Sequence, residues 1–384
     1  MKRTGLFIFA CLILLFAQSA QADWGFVKRI TWNSGGSYNP DIAFDSSGGL
    51  HVVWWDTTPS AGPVIYYKKS SDGGVIWTSA KKISGFTGNA WFPAIAVDSF
   101  DRLHVVWPED YPTSPYIYYT RSTDGGISWS NPMKLSRDLG NGRVVDIAAD
   151  SSDNLHVVWY LDDPGNFEIY YRKSEDAGAT WTGSQRLTWN SGDSKSPAIA
   201  SDSSGNVHVA WHDLTPGSGE IYYRKSTDSG TSWQTSKRLT WNSGDSTDPD
   251  IAVGPSGQVH LAWDDGTPGN YEIYYKKSTN AGNTWTANRR LTWNEGGSTS
   301  PDIAVDSDAH IHVVWHDLTP GKAEIYHKMS TDGGATWTTN QRLTWNPEDS
   351  WGPVIEADPS GNLHVLWSDD TPGNTEIFYK KYSK

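Results

Sequence analysis

Cysteine is nearly absent. The single one, Cys11, lies in the apolar stretch of the first 22 residues, so the rest of the chain can form neither a disulfide nor a thiolate metal site. Long apolar runs are missing as well. The run from Leu6 to Phe16 is too short to span a bilayer, and nothing longer follows it, so membrane insertion is not expected. Positive charge is scarce: 31 Lys and Arg stand against 44 Asp and Glu, a net charge of −13. That balance argues against nucleic acid, which needs a basic surface. It also weighs against anionic glycans, unless a local cationic pocket overrides the overall field. No convincing 3.6-residue period appears after residue 22, so helices are not expected.

Residues 1–22 read as a signal peptide: Lys2 and Arg3, the apolar run, then Ala20-Gln21-Ala22 before Asp23. Cleavage after Ala22 would take the charge from −13 to −15 by removing Lys2 and Arg3. The expected location is secreted, periplasmic or at the cell surface. A lipoprotein reading of Cys11 is the weaker alternative, because Phe9 is bulky for such a site and little apolar sequence precedes it.

What the chain has in quantity is repetition. Ser-x-Asp-x-Gly-x-x-Trp occurs at Ser70–Trp77 and returns every 52 residues, at Ser122–Trp129, Ser174–Trp181, Ser226–Trp233, Ser278–Trp285 (with Asn280 for Asp) and Ser330–Trp337. Such a period means stacked supersecondary units. Around each copy lie short runs rich in Val, Ile, Tyr, Trp and Thr, bounded by Gly, Pro, Asn, Asp or Ser, which is the pattern of strands joined by tight turns. Four strands fit each repeat. Strand a is Pro-x-Ile-Ala-x-Asp, strand b the His-Val-x-Trp run, strand c Glu-Ile-Tyr-Tyr and strand d Arg-Leu-Thr-Trp.

Strands a and b occur seven times, with His51, His104, His156, His208, His260, His312 and His364 in one phase of strand b. Strand d is missing after the seventh strand c but present at the other end, as Val27 to Trp32. The expected fold is therefore all-β: a seven-bladed β-propeller of four-stranded blades in one domain, residues 23–384, closed by the N-terminal strand completing the last blade. Closure leaves only short, protected edges.

The repeated motif resembles the Asp box of the sialidase and BNR-repeat superfamily of β-propellers, where it joins strands c and d. The resemblance spans roughly residues 27–384 and implies fold more firmly than function, since one fold hosts many activities. It implies that the motif turns lie on the face opposite any site. Enzymes of that superfamily use an arginine triad, a Tyr–Glu pair and an Asp acid/base on a six-bladed ring, and carry an early Arg-Ile-Pro. This chain has Arg29-Ile30-Thr31 and seven repeats, so their catalytic set is not carried over.

The strand-b histidines, the strand-c tyrosine pairs and the matched Arg (strand d) and Glu (strand c) phases read as structural. The candidate ligand contacts lie in the d-to-a and b-to-c loops, which share one face: Trp189, Asn190, His212, Asp213, Trp241, Asn242, Asp264, Asp265, Trp293, Asn294, His316, Asp317, Trp345 and Asn346. Aromatic rings stack on sugar C–H faces while Asn, Asp and His fix hydroxyls, the usual design of an apolar wall with few polar groups. The same residues could instead brace long loops. The favoured reading is a non-catalytic protein binding a glycan or other cell-surface ligand, with no cofactor and no metal. The alternatives are a sialidase-like hydrolase or polysaccharide lyase and a protein-interaction scaffold. A catalytic site needs unlike groups, so it would fall where the repeats differ: Trp91, Glu109, Tyr111, Arg137, Arg143, Tyr160, Asp162 and Asp163.

Overall fold

A computed structural model of the chain describes residues 23–58, 62–85, 88–110, 115–136, 144–162 and 165–384. They form seven antiparallel blades arranged as a β-propeller, with no helix among them. Blade 4 is typical. Its strands a to d are Ser194–Ser201, Val207–Asp213, Glu220–Ser226 and Lys237–Arg238, paired in that order. Strand d is shorter than the sequence suggested, with two paired residues, but Leu239 N–H continues it by donating to Ile221 O at 2.7 Å.

The ring closes as the repeat phase requires. Asp23–Trp24 and Lys28–Arg29 both pair with Glu376–Ser383, the third strand of blade 7. Arg29 meets Glu376 at 2.6 Å, the same contact that Arg186 makes with Glu168 inside blade 3. The repeated Arg and Glu phases are thus pairs within a blade. Each Glu is buried, so leaving it without its Arg would be costly.

Alternation along each strand sends one set of side chains toward the preceding blade and the other toward the next. The apolar cores therefore lie between blades. Ile221, Tyr223 and Leu239 of blade 4 pack on Ile251, Leu261 and Trp263 of blade 5, and Ile377 and Tyr379 of blade 7 pack on Ile42, Val52 and Trp54 of blade 1. The strand-b tryptophans Trp54, Trp107, Trp159, Trp211, Trp263, Trp315 and Trp367 are fully buried.

The strand-b histidines are buried links. His156 Nδ1 lies 2.7 Å from Tyr171 Oη and its Nε2 3.1 Å from Asp150 Oδ2, and His51, His104, His208 and His364 repeat the arrangement. The tyrosine then reaches the next blade. Tyr119 packs edge-on to Trp181 at 5.0 Å, and its hydroxyl lies so close to Gly178 that a Cβ there would sit 1.7 Å from it. Gly178 also takes a φ of +79°, so the turn needs glycine for both reasons. In the same turn Ser174 Oγ donates to Asp176 Oδ1 at 2.8 Å, and Thr180 N–H donates to that oxygen at 2.7 Å.

Candidate functional site

The d-to-a and b-to-c loops do share one face. Ser194 opens strand a, Asp213 ends strand b, and Ser194 Oγ donates to Asp213 Oδ2 at 2.9 Å. The same carboxylate accepts from Asn190 Nδ2, from Trp211 Nε1 at 3.3 Å and, through Oδ1, from Thr215 N–H at 2.9 Å. Asp213 has no exposed surface. Asn242 with Asp265, Asn294 with Asp317 and Asn346 with Asp369 repeat this bracket. A carboxylate filled by four donors has nothing left for a ligand. Asn190, Asp213, Asn242, Asp265, Asn294, Asp317 and Asn346 thus hold one another in brackets that brace the loops, with the Asp side chains buried and each Asn engaged through Nδ2. Glu109 sits in the Asp213 phase of blade 2, is buried, and accepts from Trp107 Nε1 at 2.8 Å; burial raises its pKa. Tyr111, Arg137, Arg143 and Asp163 lie outside the described residues. Tyr160 is buried against Phe167, Asp162 ends strand b of blade 3 half-buried, and Trp91 of blade 2 is half-buried, its backbone N–H donating to Pro108 O at 3.2 Å.

The tryptophans behave differently. Trp189, Trp241, Trp293 and Trp345 are 65–69 % exposed, and so is Trp32 on the closing strand, which sequence reasoning left out although it occupies the same phase. Each ring has the strand-d Arg of its own blade 5.6–5.9 Å from its centroid. Strand c of the next blade adds a second cation: Lys68 for Trp32, Arg224 for Trp189, Lys328 for Trp293 and Lys380 for Trp345. These second cations donate to a backbone carbonyl across the blade boundary, as Lys380 Nζ does to Leu343 O at 2.9 Å. Burial lowers the pKa of Lys68, Lys328 and Lys380, and takes Lys276, in the same phase, down to about 8. The outcome is an electron-rich ring held over cations at the end of strand d, the outermost strand, with most of its surface in solvent.

Closer to the axis the face loses its regularity. Strand a carries a bulge before its proline, where Asn39, Phe92, Ser196, Asp248 and Ser300 take φ values of 43–53°. Non-glycine residues there are strained, and they line the mouth of the central channel, a cavity of about 370 Å³. Around the mouth, Tyr38 stacks on Trp55 at 4.2 Å, Trp351 lies 5.9 Å from Tyr38, and Phe92 lies 6.4 Å from Trp55. The opposite arc is polar. His212 pairs across strands with Lys195, Asp264 with Thr247 and His316 with Thr299. His316 Nε2 lies 2.8 Å from Thr299 Oγ1, and Thr247 Oγ1 donates to Asp264 Oδ1 at 2.8 Å. Burial, with Asp248 nearby, pushes the Asp264 carboxyl up to about 8. Burial lowers the pKa of both His212 and His316.

Below the mouth the channel is acidic. Asp41, Asp146, Asp250 and Asp302 come from the Pro-x-Ile phase of strand a, and Glu356 lies one layer deeper. Each Asp accepts a backbone N–H from the next strand a on the same arc: Ile95 to Asp41 at 2.7 Å, Ile199 to Asp146 at 2.8 Å, Ile303 to Asp250 at 2.8 Å and Ile355 to Asp302 at 2.6 Å. These carboxylates tie blade to blade. Burial and mutual repulsion push Asp41 up to about 7 and Asp146 and Glu356 up to about 8, and raise Asp250 and Asp302. Sequence reasoning missed the ring, although its signal was there: Asp recurs before Ile at positions 41, 146, 250 and 302, one repeat phase.

The class that this architecture defines is the seven-bladed β-propeller. No family model and no curated protein sequence matches the chain. Solved structures do match in shape. The ulvan lyase of polysaccharide lyase family PL25, bound to -[GlcA(1-4)Rha3S]-, superposes with a TM-score of 0.62 at 13 % identity, over 92 % of this chain and 95 % of that one. A Dyadobacter fermentans protein of unknown function gives 0.58 at 14 % identity, covering 93 % and 99 %. The intramolecular trans-sialidase from Ruminococcus gnavus, in complex with oseltamivir carboxylate, gives 0.53 at 14 % identity, covering 92 % and 97 %. At such identities the likeness speaks for the fold alone.

Proposed function

We propose that the chain is a non-catalytic glycan-binding propeller with several equivalent sites, exported by its leader to the periplasm, the cell surface or the medium. The observation that carries this reading is the five-fold recurrence of an exposed Trp, at Trp32, Trp189, Trp241, Trp293 and Trp345, on a scaffold that buries its polar loop residues. An aromatic ring with an open surface suits the C–H face of a sugar. The cations beside it offer the local positive field that an acidic protein needs to hold an acidic glycan. Weak equivalent sites gain avidity on a polyvalent chain. The test is a glycan-array screen of residues 23–384, repeated with Trp241→Ala and Trp293→Ala. Binding that persists unchanged in the double variant would sink the reading.

One observation favours a second reading, a carbohydrate hydrolase or lyase working at the mouth. Asp264 is a buried carboxyl held protonated near neutral pH, beside Asp248 and with Tyr271 close by. A group so poised can serve as a general acid. The neighbours in fold include enzymes that cleave or rearrange glycans, as their names state. Turnover of an array glycan that Asp264→Asn abolishes, with the rim tryptophans intact, would establish this reading in place of the first.

A further inference from the structure

The face opposite the exposed tryptophans carries the a-to-b turns, and two of them depart from the rest: blade 5 has Gly254 in place of the turn Asp, and blade 6 keeps the Asp but changes its partners. In blades 1, 2, 3, 4 and 7 the turn Asp is closed on all sides. Asp202, for example, accepts Ser204 N–H and Asn206 N–H through Oδ1, and Asn206 Nδ2 through Oδ2. Its Oδ2 also meets the strand-b histidine Nε2, at 3.0–3.3 Å across these blades. Blade 6 changes two members of this set. His310 stands where Asn154, Asn206 and Asn362 stand, and His327 replaces the strand-c tyrosine.

The consequences are local and specific. His310 Nδ1 lies 3.0 Å from Asp306 Oδ2, while His312 Nε2 has drawn back to 3.6 Å from that oxygen. At that distance there is no hydrogen bond. His312 is 2 % exposed, and its Nε2 has no partner. A buried imidazole nitrogen aimed at a carboxylate without bonding to it asks for something between them. One ligand atom from each of Asp306, His310 and His312 lies within 4.8 Å of the others. A tetrahedral ion with N and O bonds of 2.0–2.2 Å holds its ligands roughly 3.3 Å apart, so small side-chain shifts would complete the set.

We propose that Asp306, His310 and His312 form a binding site for a divalent transition-metal ion of the zinc type, with water as the fourth ligand. The outer contacts fit. His312 Nδ1 lies 3.2 Å from His327 Nε2, so His312 can keep its proton on Nδ1, donate it in a hydrogen bond to His327 and leave Nε2 free to ligate, the usual outer-shell arrangement of a metal-bound histidine. His310 is partly exposed, which gives the ion a way in. Lys384 now supplies the nearby positive charge. Its ammonium is 3.5 Å from Asp306 Oδ2 and also bonds Asp308, and it would retreat onto Asp308 when the ion enters. Mixed imidazole and carboxylate ligands suit Zn²⁺ over Ca²⁺.

The test is calorimetric titration of tag-free residues 23–384, stripped with chelator, with Zn²⁺ and separately with Ca²⁺. The expected result is one Zn²⁺ per chain with a Kd that His310→Asn weakens at least tenfold, and no heat with Ca²⁺. His310→Asn restores the residue that blades 4 and 7 use, so it keeps the fold, and a melting curve verifies this. Lys384→Ala is expected to tighten binding severalfold by removing the competing charge. No Zn²⁺ binding, or binding that His310→Asn leaves unchanged, would overturn the proposal.

Discussion

The rim of the tryptophan face and its mouth are built by the same seven repeats, yet the rim is uniform across the five blades that carry the ring, with Gly85 and Arg137 in its place in blades 1 and 2. At the rim, Trp32, Trp189, Trp241, Trp293 and Trp345 share one exposure and one strand-d Arg neighbour. At the mouth, one phase of strand b holds Trp55, Pro108, Tyr160, His212, Asp264, His316 and Ser368 in successive blades, with aromatic residues on one arc and polar residues on the other. Equality suits several weak sites acting together, whereas inequality is what a single site of unlike groups requires. The comparison sets the two functional readings in two places on one face, where substitutions can separate them.

The largest effects belong to neither place. Trp211→Ala empties a fully buried position between blades and is expected to cost about 3–5 kcal/mol, read as a lower denaturant midpoint at unchanged slope. Asp213→Ala strips four donors of their acceptor and should cost about 1–3 kcal/mol, with glycan binding lost only as far as the loop unfolds. If Asp213→Ala abolished binding while leaving stability intact, the bracing role would be wrong and the loop polar groups would return as ligand contacts.

Acidity of the channel gives a graded effect. Asp146 and Glu356 are held up near 8, well above the ordinary carboxyl value of about 4. An acid raised in the folded state stabilises it fully below the unfolded value and loses that contribution as pH rises through the folded one. The protein should therefore melt several degrees lower at pH 9 than at pH 5. Asp146→Asn keeps an acceptor for Ile199 N–H and removes the charge, so it should recover part of the loss at pH 9 and change little at pH 5. An Asp146→Asn protein with the same pH dependence as the parent would mean that the channel carboxyls are not the cause.

Smaller effects separate rim from mouth. Trp241→Ala removes an exposed ring and should move stability by no more than about 0.5 kcal/mol, yet weaken binding to a polyvalent glycan severalfold. Phe92→Ala at the mouth should leave that binding alone. The reverse pair of outcomes would place the ligand at the mouth.

Much of this was legible in the sequence, and the reason is the repeat. A 52-residue period fixed strand count, ring size and closure, because Val27 to Trp32 could only be the absent seventh strand d. The buried role of His208 also followed from its apolar flanks. What the sequence hid was direction. Asn190 and Trp189 are neighbours in one loop with equal claims on a sugar, but Asn190 turns in to Asp213 and Trp189 turns out. Glu109 looked divergent because its type differs, although its position does not. Asp41, Asp146, Asp250 and Asp302 lie in four different repeats, and only the closed ring shows that they face one another.

The most direct test of the central claim is the stoichiometry of glycan binding, measured by titrating residues 23–384 with a monovalent fragment of whichever array glycan binds. The account predicts more than one site per chain, with the number falling as Trp189, Trp241, Trp293 and Trp345 are replaced one after another. A single site, unmoved by those replacements, would contradict it.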